Sequence, residues 1–247
     1  MGRLRVIGWQ ALSLAALAVA WQAAGHWGWV DPLFVPTPSQ VASALAGTAG
    51  EALPRLGETL LKTLLGYGLA VLLGVSAGLL IGSRRMLNDV AMPYVVALYG
   101  IPKILILPWI ALIFGLGFNT AVLTATLFAV FPILLMVAAG TRDVDPVLIT
   151  AAVSMGATRW QVGHKVLLPA VLPSVLAGMR IGMVFAMLGV LLAEMFAGNR
   201  GMGFLMQRLA VAFKAPELFA ATAIVSVLSI AVVLFLEHLN HRLGRWR

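Results

Sequence analysis

The chain has 247 residues, of which 61% are hydrophobic and 11% are charged. Soluble domains are about half apolar and about a quarter charged, so this composition excludes an ordinary soluble domain and points to lipid as the solvent. The formal net charge is +8 and there is no cysteine. The basic residues form short clusters between apolar runs rather than a stripe interleaved with aromatics, which argues against nucleic-acid binding.

Six stretches are apolar over the roughly 20 residues that a helix needs to cross a bilayer. The chain is therefore expected to be all-α and polytopic, with spans at residues 6–25, 61–82, 90–116, 121–140, 174–197 and 218–239. The first stretch also resembles a secretory signal, because Arg3 and Arg5 precede it and residues 18–20 could form a cleavage site. Its apolar run is longer than a signal core and more spans follow, which favours an uncleaved first span.

Lysine and arginine in the loops predict the orientation, because they favour the cytoplasmic side. The expectation is a multi-pass protein of the inner (plasma) membrane with both termini in the cytoplasm. This arrangement leaves outside only Arg55, Lys62, Arg200, Arg208 and Lys214. It places inside Arg3, Arg5, Arg84, Arg85, Arg142, Arg159, Lys165, Arg180, Arg242, Arg245 and Arg247.

The outer segment between the first two spans has a proline-rich entry at residues 32–38 and then a predicted short helix beginning near Ser39. In the second span, small residues recur every four positions and form a smooth stripe on one helix face, which allows close helix packing in lipid. Packing within the subunit is favoured over packing against a second copy. The stripe consists of Gly66, Ala70, Gly74, Gly78 and Gly82.

The loop between the fourth and fifth spans, residues 141–173, predicts two short helices. Asp145 suits the N-cap and Pro146 the first helical position. This helix is expected to run to Met155, and Gly156 to end it in the left-handed conformation.

A second helix is predicted from a capping box at Thr158 and Gln161, and Pro169 is expected to interrupt the chain before the fifth span. A structured loop of this length suits docking of another protein. An amphipathic elbow resting on lipid headgroups explains it equally well, so both interpretations remain. The nearby polar and aromatic residues are Arg159, Trp160, His164 and Lys165.

The last outer segment, residues 201–215, places Leu205, Leu209 and Phe213 four residues apart. That pattern is typical of an interfacial or re-entrant helix. It could act as a gate or lie on the surface.

Catalytic chemistry is not expected. No Gly-Lys dipeptide occurs, so a Walker A phosphate loop is absent, and the four histidines are scattered. We therefore expect no catalytic residue, no metal site and no cofactor bound by this chain.

The loop resembles the EAA loop of binding-protein-dependent ABC importer permeases, in which Glu-Ala-Ala is followed by Gly and then by Ile-x-Leu-Pro. The match reads Thr150-Ala151-Ala152, Gly156, Val166, Leu168 and Pro169, with every interval preserved. Thr150 replaces the glutamate and Val166 the isoleucine. The resemblance implies that the ATPase-coupling residues are Thr150, Ala151, Ala152, Gly156, Thr158, Arg159, Leu168 and Pro169. Thr150 puts the contact usually made by the glutamate in question.

Three further stretches resemble the branch serving nitrate, aliphatic sulfonates, taurine and thiamine precursors: residues 35–39, 99–117 and 192–203. The resemblance implies a single permease domain over residues 1–247 with the type I importer fold, pairing as a homodimer. It also implies two ATPase subunits that carry ATP and Mg²⁺, and a periplasmic or lipid-anchored substrate-binding protein. The solute would be small and anionic. An ion-coupled secondary transporter or a channel is the alternative, and neighbouring genes for an ATPase and a binding protein would discriminate the two.

Lys103 and Glu194 are ionisable residues inside predicted spans, where each is expected to face a cavity or a partner. Lys103 follows Gly100 and Pro102, so the helix is expected to break there. Lys103 either lines the path and attracts an anion such as sulfonate or nitrate, or is a structural lysine that snorkels or pairs with Glu194. Glu194 is expected to serve as a gate or packing element rather than as a substrate ligand.

Overall fold

The computed structural model describes residues 3–243, with side chains described for residues 5–238; Arg245 and Arg247 lie outside these ranges. All regular secondary structure in that part of the chain is helical. A 3-10 turn at Lys103–Ile106 precedes α4, and a π-helical segment at Val162–Leu167 joins α7 to α8. The helices are α1 (Arg3–His26), α2 (Pro38–Gly82), α3 (Arg85–Gly100), α4 (Leu107–Phe114), α5 (Phe118–Arg142), α6 (Pro146–Ser154), α7 (Arg159–Gln161), α8 (Leu168–Ala197), α9 (Met202–Val211) and α10 (Ala215–Leu243).

Helix α5 is the centre of the bundle, with α2 packed along one side and α8 along the other. Small and β-branched residues on α5, among them Ala125, Ala129 and Ile133, are fully buried. Two of its buried threonines donate their hydroxyls to backbone carbonyl oxygens: Thr126 to Val122 (2.9 Å) and Gly66 (3.1 Å), and Thr141 to Val137 (2.7 Å). These bonds allow polar side chains to be enclosed in the bundle, although the buried hydroxyl of Thr124 has no partner among the described residues.

The small-residue stripe of α2 packs against α5 within the same chain, as predicted. A Cβ placed on Gly78 would lie 2.7 Å from the Cβ of Val137. One placed on Gly82 would lie 2.6 Å from the carbonyl oxygen of Ala138. The two backbones are close enough that only glycine fits at these positions.

Helix α2 is longer than predicted, since the expected short helix near Ser39 and the second span form one helix of 45 residues. Thr37 and Gln40 form a capping box at its N-terminus. Pro54 lies inside the helix without ending it. There the guanidinium of Arg55 donates to the carbonyl oxygen of Glu51 (3.1 Å), which adds a hydrogen bond in the turn that the proline weakens.

The third span is broken where the sequence predicted. Helix α3 ends at Gly100, the chain turns through Ile101 and Pro102, and the following segment Lys103–Phe114 is bent from α3 by 81°. Five other helices are long and apolar enough to cross a membrane, and this bent pair provides a sixth crossing if it forms one span. The expected all-α, six-span architecture is thereby confirmed.

The segment after α8 forms α9, but only part of the predicted apolar face lies on it. Leu205 and Leu209 are buried in a cluster with residues of α2, α8 and α10. Phe213 lies beyond the end of α9, with a positive φ of 54° and an exposed side chain. The apolar face of α9 therefore packs on the chain's own bundle.

The stretch Gly74 to Gly78 has the Gly-x-Ser-x-Gly spacing of a hydrolase nucleophile elbow. That motif requires a strained turn between a strand and a helix. Here it lies in the middle of α2, with both glycines packed against α5. The motif is therefore a packing feature.

Candidate functional site

The loop between α5 and α8 begins with a well-capped helix. The Oδ1 of Asp145 accepts a hydrogen bond from the backbone N–H of Val147 at 2.9 Å, and Pro146 occupies the first helical position. The N-cap and the proline at the first helical position both agree with the sequence prediction. Helix α6 therefore starts at a fixed place immediately after α5 ends.

Helix α6 ends at Ser154, and Gly156, two residues later, has a φ of +82° as predicted. The N–H of Gly156 donates to the carbonyl oxygen of Val153 (2.9 Å), and that of Ala157 donates to Ala152 (3.0 Å). The second bond spans five residues and closes the left-handed turn that commonly terminates helices. A residue with a Cβ would be strained at this φ, although nothing lies within 4 Å of a Cβ placed there.

The capping box of α7 is also present. The Oε1 of Gln161 accepts from the N–H of Thr158 (2.8 Å), and the Oγ1 of Thr158 accepts from the N–H of Gln161 (3.3 Å). Local hydrogen bonds thus determine where α6 begins, where the chain turns after it and where α7 begins.

The predicted interruption at Pro169 is wrong. Residues Arg159–Ala197 form one continuous run of 39 helical residues. The N–H of Leu168 bonds to the carbonyl oxygen of Gly163, five residues back, so the turn before the proline is widened. Proline is tolerated at the first turn of α8, where a missing N–H breaks no α-helical bond.

The structure places most of the predicted coupling residues on the loop surface: Thr150, Ala151, Gly156, Thr158, Arg159, Leu168 and Pro169 are exposed, while Ala152 is buried. The hydroxyl of Thr150 donates to the carbonyl oxygen of Pro146 in its own helix (3.0 Å). Thr150 therefore brings no charge to the position where a glutamate is expected.

Several apolar side chains of the loop are exposed. Met155 is 82% exposed and Trp160 is 77% exposed, and Val147, Leu148 and Val153 on α6 are exposed as well. The Trp160 indole lies beside His164, with the ring centroids 5.5 Å apart. The loop thus presents an apolar surface on a short, capped framework.

A buried ion pair lies at the opposite end of the bundle. The Nζ of Lys62 is 2.7 Å from Oε1 of Glu194, and these residues are 4% and 0% exposed. The other carboxylate oxygen, Oε2, accepts from the Thr59 hydroxyl (2.8 Å) and from the N–H of Gly203 (3.0 Å). The Thr59 hydroxyl in turn accepts from the N–H of Met202 (2.9 Å). The network joins α2, α8 and the start of α9.

This pairing corrects the interpretation of the intramembrane charges, because Glu194 pairs with Lys62 and not with Lys103. Lys62 was assigned to the outer loops because it stands at the start of the predicted second span. Its position carried a signal: Lys62 lies four residues before Gly66 and so continues the small-residue stripe that faces α5.

Lys103 lies at the break of the third span. Its Nζ donates to the carbonyl oxygen of Tyr99 (3.0 Å) and lies 4.3 Å from the centroid of the Tyr99 ring and 5.2 Å from that of Phe131. Phe131 lies near the midpoint of α5, so the ammonium group is about halfway along the bundle. Among the described residues, no carboxylate forms an ion pair with it.

Comparisons with known proteins agree with this architecture. The family described as "Binding-protein-dependent transport system inner membrane component" matches residues 70–245. The taurine transport system permease protein TauC of Escherichia coli (strain K12) is 30% identical over 241 residues, covering 95% of this chain and 88% of TauC. The riboflavin transport system permease protein RibX of Chloroflexus aurantiacus is 30% identical over 244 residues, covering 96% of this chain and 91% of RibX.

A solved structure shares the fold. The inward-facing MetNI methionine ABC transporter matches with a TM-score of 0.67 at 23% identity, over 78% of this chain and 94% of the matched chain.

Proposed function

We propose a mechanism from the premise that this chain belongs to the family of binding-protein-dependent transport system inner membrane components and is the permease subunit of an ATP-binding-cassette importer. The family match and the relatives confirm the resemblance that the loop motif indicated. In this mechanism the chain provides the membrane path and no hydrolytic chemistry. ATP and Mg²⁺ are bound by two partner ATPase subunits.

The loop from Thr150 to Pro169 is the part that the ATPases move. The observation that carries this proposal is the set of caps at Asp145 and Thr158 together with the left-handed turn at Gly156, which hold the loop in one conformation. Its exposed apolar residues provide the surface that a partner would cover, since apolar side chains are buried at the centre of protein interfaces.

The continuous helix Arg159–Ala197 carries the motion through the membrane. At about 1.5 Å per residue its 39 residues measure about 58 Å, so α7 and the far end of α8 belong to one helical run through which a displacement can pass. Glu194 lies near that end, where its pairing with Lys62 links the displacement to α2 and α9.

In the assembled transporter, two copies of the chain pair about an axis normal to the membrane. The loop and both termini face the cytoplasm, as the positive-inside rule predicts. A loaded periplasmic or lipid-anchored binding protein docks at the opposite face. Closure of the ATPases on ATP turns the cavity outward, and hydrolysis returns it inward.

The solute is a small anion of the sulfonate kind. Lys103 supports this proposal, because its ammonium group lies halfway along the bundle and forms no ion pair with a carboxylate of the described residues. A cation at this depth of a membrane is costly unless it faces a water-filled cavity or a counter-ion. Taurine, which TauC transports, carries a sulfonate group, whereas riboflavin and methionine carry none, so the relatives alone do not decide the substrate.

The test is uptake by proteoliposomes containing this chain with its own ATPase and binding protein. Radiolabelled taurine, alkanesulfonates, nitrate and thiamine precursors are offered with and without ATP inside. ATP-dependent accumulation of one of the anions supports the proposal. Accumulation driven by an ion gradient without the ATPase subunit would instead identify an ion-coupled carrier.

A further inference from the structure

A cavity of about 820 Å³ lies at the loop end of the bundle, between the coupling loop and the junction of α2 and α3. Its walls come from the end of α2, the start of α3, the end of α5 and the loop itself. The coupling mechanism above moves one wall of this cavity, the loop, but assigns no ligand to it.

The cavity is strongly basic. Four arginines line it: Arg84, Arg85, Arg142 and Arg159. Asp89 is the one carboxylate among the described lining residues. None of the four guanidinium groups forms an ion pair within the described part of the chain, although Arg142 donates to Oδ1 of Asn88 at 3.3 Å.

The start of α3 adds to the attraction for an anion. Arg84 is its N-cap residue, and the Arg84 side chain forms no capping hydrogen bond with the first turn of this 16-residue helix. The free N–H groups of a helix N-terminus carry a partial positive charge. Here they belong to the same short segment that brings Arg84 and Arg85 to the cavity.

An apolar groove of about 390 Å³ adjoins the basic cavity, and both are lined by Ser83, Arg159, Gly163 and Leu167. Leu79, Leu80 and Leu168 provide its apolar walls, and Trp160 and His164 complete its lining. Tryptophan is enriched where the hydrocarbon of a membrane meets its headgroups. The groove therefore lies next to the anion-attracting cavity and has the character of a membrane interface.

We propose that this cleft, defined as the basic cavity together with the adjoining groove, binds an anionic phospholipid. The phosphodiester would lie among Arg84, Arg85 and Arg142, and an acyl chain would lie along Leu79 and Leu80. Basic pockets between transmembrane helices at a cytoplasmic surface are suited to anionic headgroups. The positive-inside rule explains an excess of arginine on one face, but it does not explain why the arginines surround one cleft that continues into an apolar groove.

A lipid in this cleft would connect the α2–α3 junction to the coupling loop, because Arg85 belongs to the former and Arg159 to the latter. It would brace the loop against the bundle. The proposal does not depend on the transported solute or on ATP hydrolysis.

The test is native mass spectrometry of the detergent-purified full chain, titrated with phosphatidylglycerol or phosphatidylcholine. The wild type is expected to retain phosphatidylglycerol more strongly than phosphatidylcholine. The Arg84→Gln/Arg85→Gln variant should bind it about thirtyfold more weakly, from two lost charge contacts. The Arg84→Lys/Arg85→Lys variant, which keeps the charges, should retain most of the binding. The matched control Arg55→Gln/Arg200→Gln removes two charges at the opposite end and should bind as the wild type does.

Equal retention of both lipids, or equal weakening in the two glutamine variants, would overturn the proposal. So would displacement of phosphatidylglycerol by millimolar inorganic phosphate, which would indicate a small-anion site. If Arg84→Gln/Arg85→Gln keeps the lipid but no longer binds the partner ATPase, the cleft is a protein-docking surface and the proposal also fails.

Discussion

The Nζ of Lys62 lies 2.7 Å from Oε1 of Glu194, although 132 residues separate them in the chain. Both side chains are buried, and the second carboxylate oxygen is held by Thr59 and by the backbone of Gly203. Removing two charges from water is costly, and the cost is offset only when the partners are well aligned and their remaining groups are bonded. This pair meets that condition, and it fastens α2 to α8 and α9.

Breaking the pair from one side should destabilise the bundle. Lys62→Met leaves a buried carboxylate without its cation, which costs about 3–5 kcal/mol. We expect a clear fall in the Tm of the detergent-purified chain. Lys62→Met/Glu194→Gln removes the uncompensated charge and should recover much of the loss.

An exposed ion pair provides the control for Lys62→Met. Arg55→Gln breaks the partly exposed pair with Glu51, and such pairs contribute about 0–1 kcal/mol, so the Tm should hardly move. If Lys62→Met and Lys62→Met/Glu194→Gln lowered the Tm equally, charge compensation would not explain how the buried pair stabilises the bundle.

The left-handed turn at Gly156 should be required for coupling and dispensable for the stability of the bundle. Gly156→Val introduces about 1–2 kcal/mol of strain at a φ of +82° in an exposed loop. We expect the Tm to change little and ATP-driven uptake to be lost. Gly57→Val, on α2 outside the loop, where a Cβ has open space, should transport normally. Unimpaired uptake by Gly156→Val would show that the turn geometry does not matter.

The glycine stripe should tolerate no side chain where α2 contacts α5. Gly78→Leu forces the backbones apart, because even a Cβ would lie 2.7 Å from that of Val137. Overpacking costs about 1–3 kcal/mol or more, so we expect a lower Tm and reduced yield. Gly68→Ala on the open face of α2 should be neutral or slightly stabilising, because alanine favours helix. Equal tolerance of both changes would contradict the packing seen here.

The charge at Lys103 should matter for transport more than for assembly. Lys103→Met keeps an apolar chain of similar length, so the protein should assemble with its ATPase and lose uptake of the anion by about tenfold or more, as expected when a single hydrogen bond to a charged group is lost. Lys103→Arg should retain part of the activity. Lys165→Met, on the exposed loop, is the matched control and should leave the affinity for the solute unchanged. Normal uptake by Lys103→Met would remove Lys103 from the path.

Local chemistry explains why the loop could be predicted from sequence. The caps at Asp145 and Thr158 and the turn at Gly156 depend on residues within a few positions of one another. The α2 stripe was predictable for a related reason, because glycine every fourth residue leaves a smooth face whatever helix packs on it.

The features that escaped prediction depend on distant residues or on compensation. Nothing near Lys62 in the sequence indicates that Glu194 will meet it. The 45-residue length of α2 was hidden by Pro54, which lies inside the helix without ending it. The continuity through Pro169 depends on the π-helical turn before it, which hydropathy does not reveal.

The length of α2 limits the ways in which the subunit can change shape. At about 1.5 Å per residue it measures about 68 Å, more than twice the roughly 30 Å of hydrocarbon that it crosses. The hydrogen-bonded turns on either side of Pro54 resist axial compression, so each of these two parts of α2 keeps its length. Movement of α2 is therefore expected to consist of tilting and sideways sliding of these parts, and the part of α2 beyond the bilayer would swing through a larger arc than the part within it.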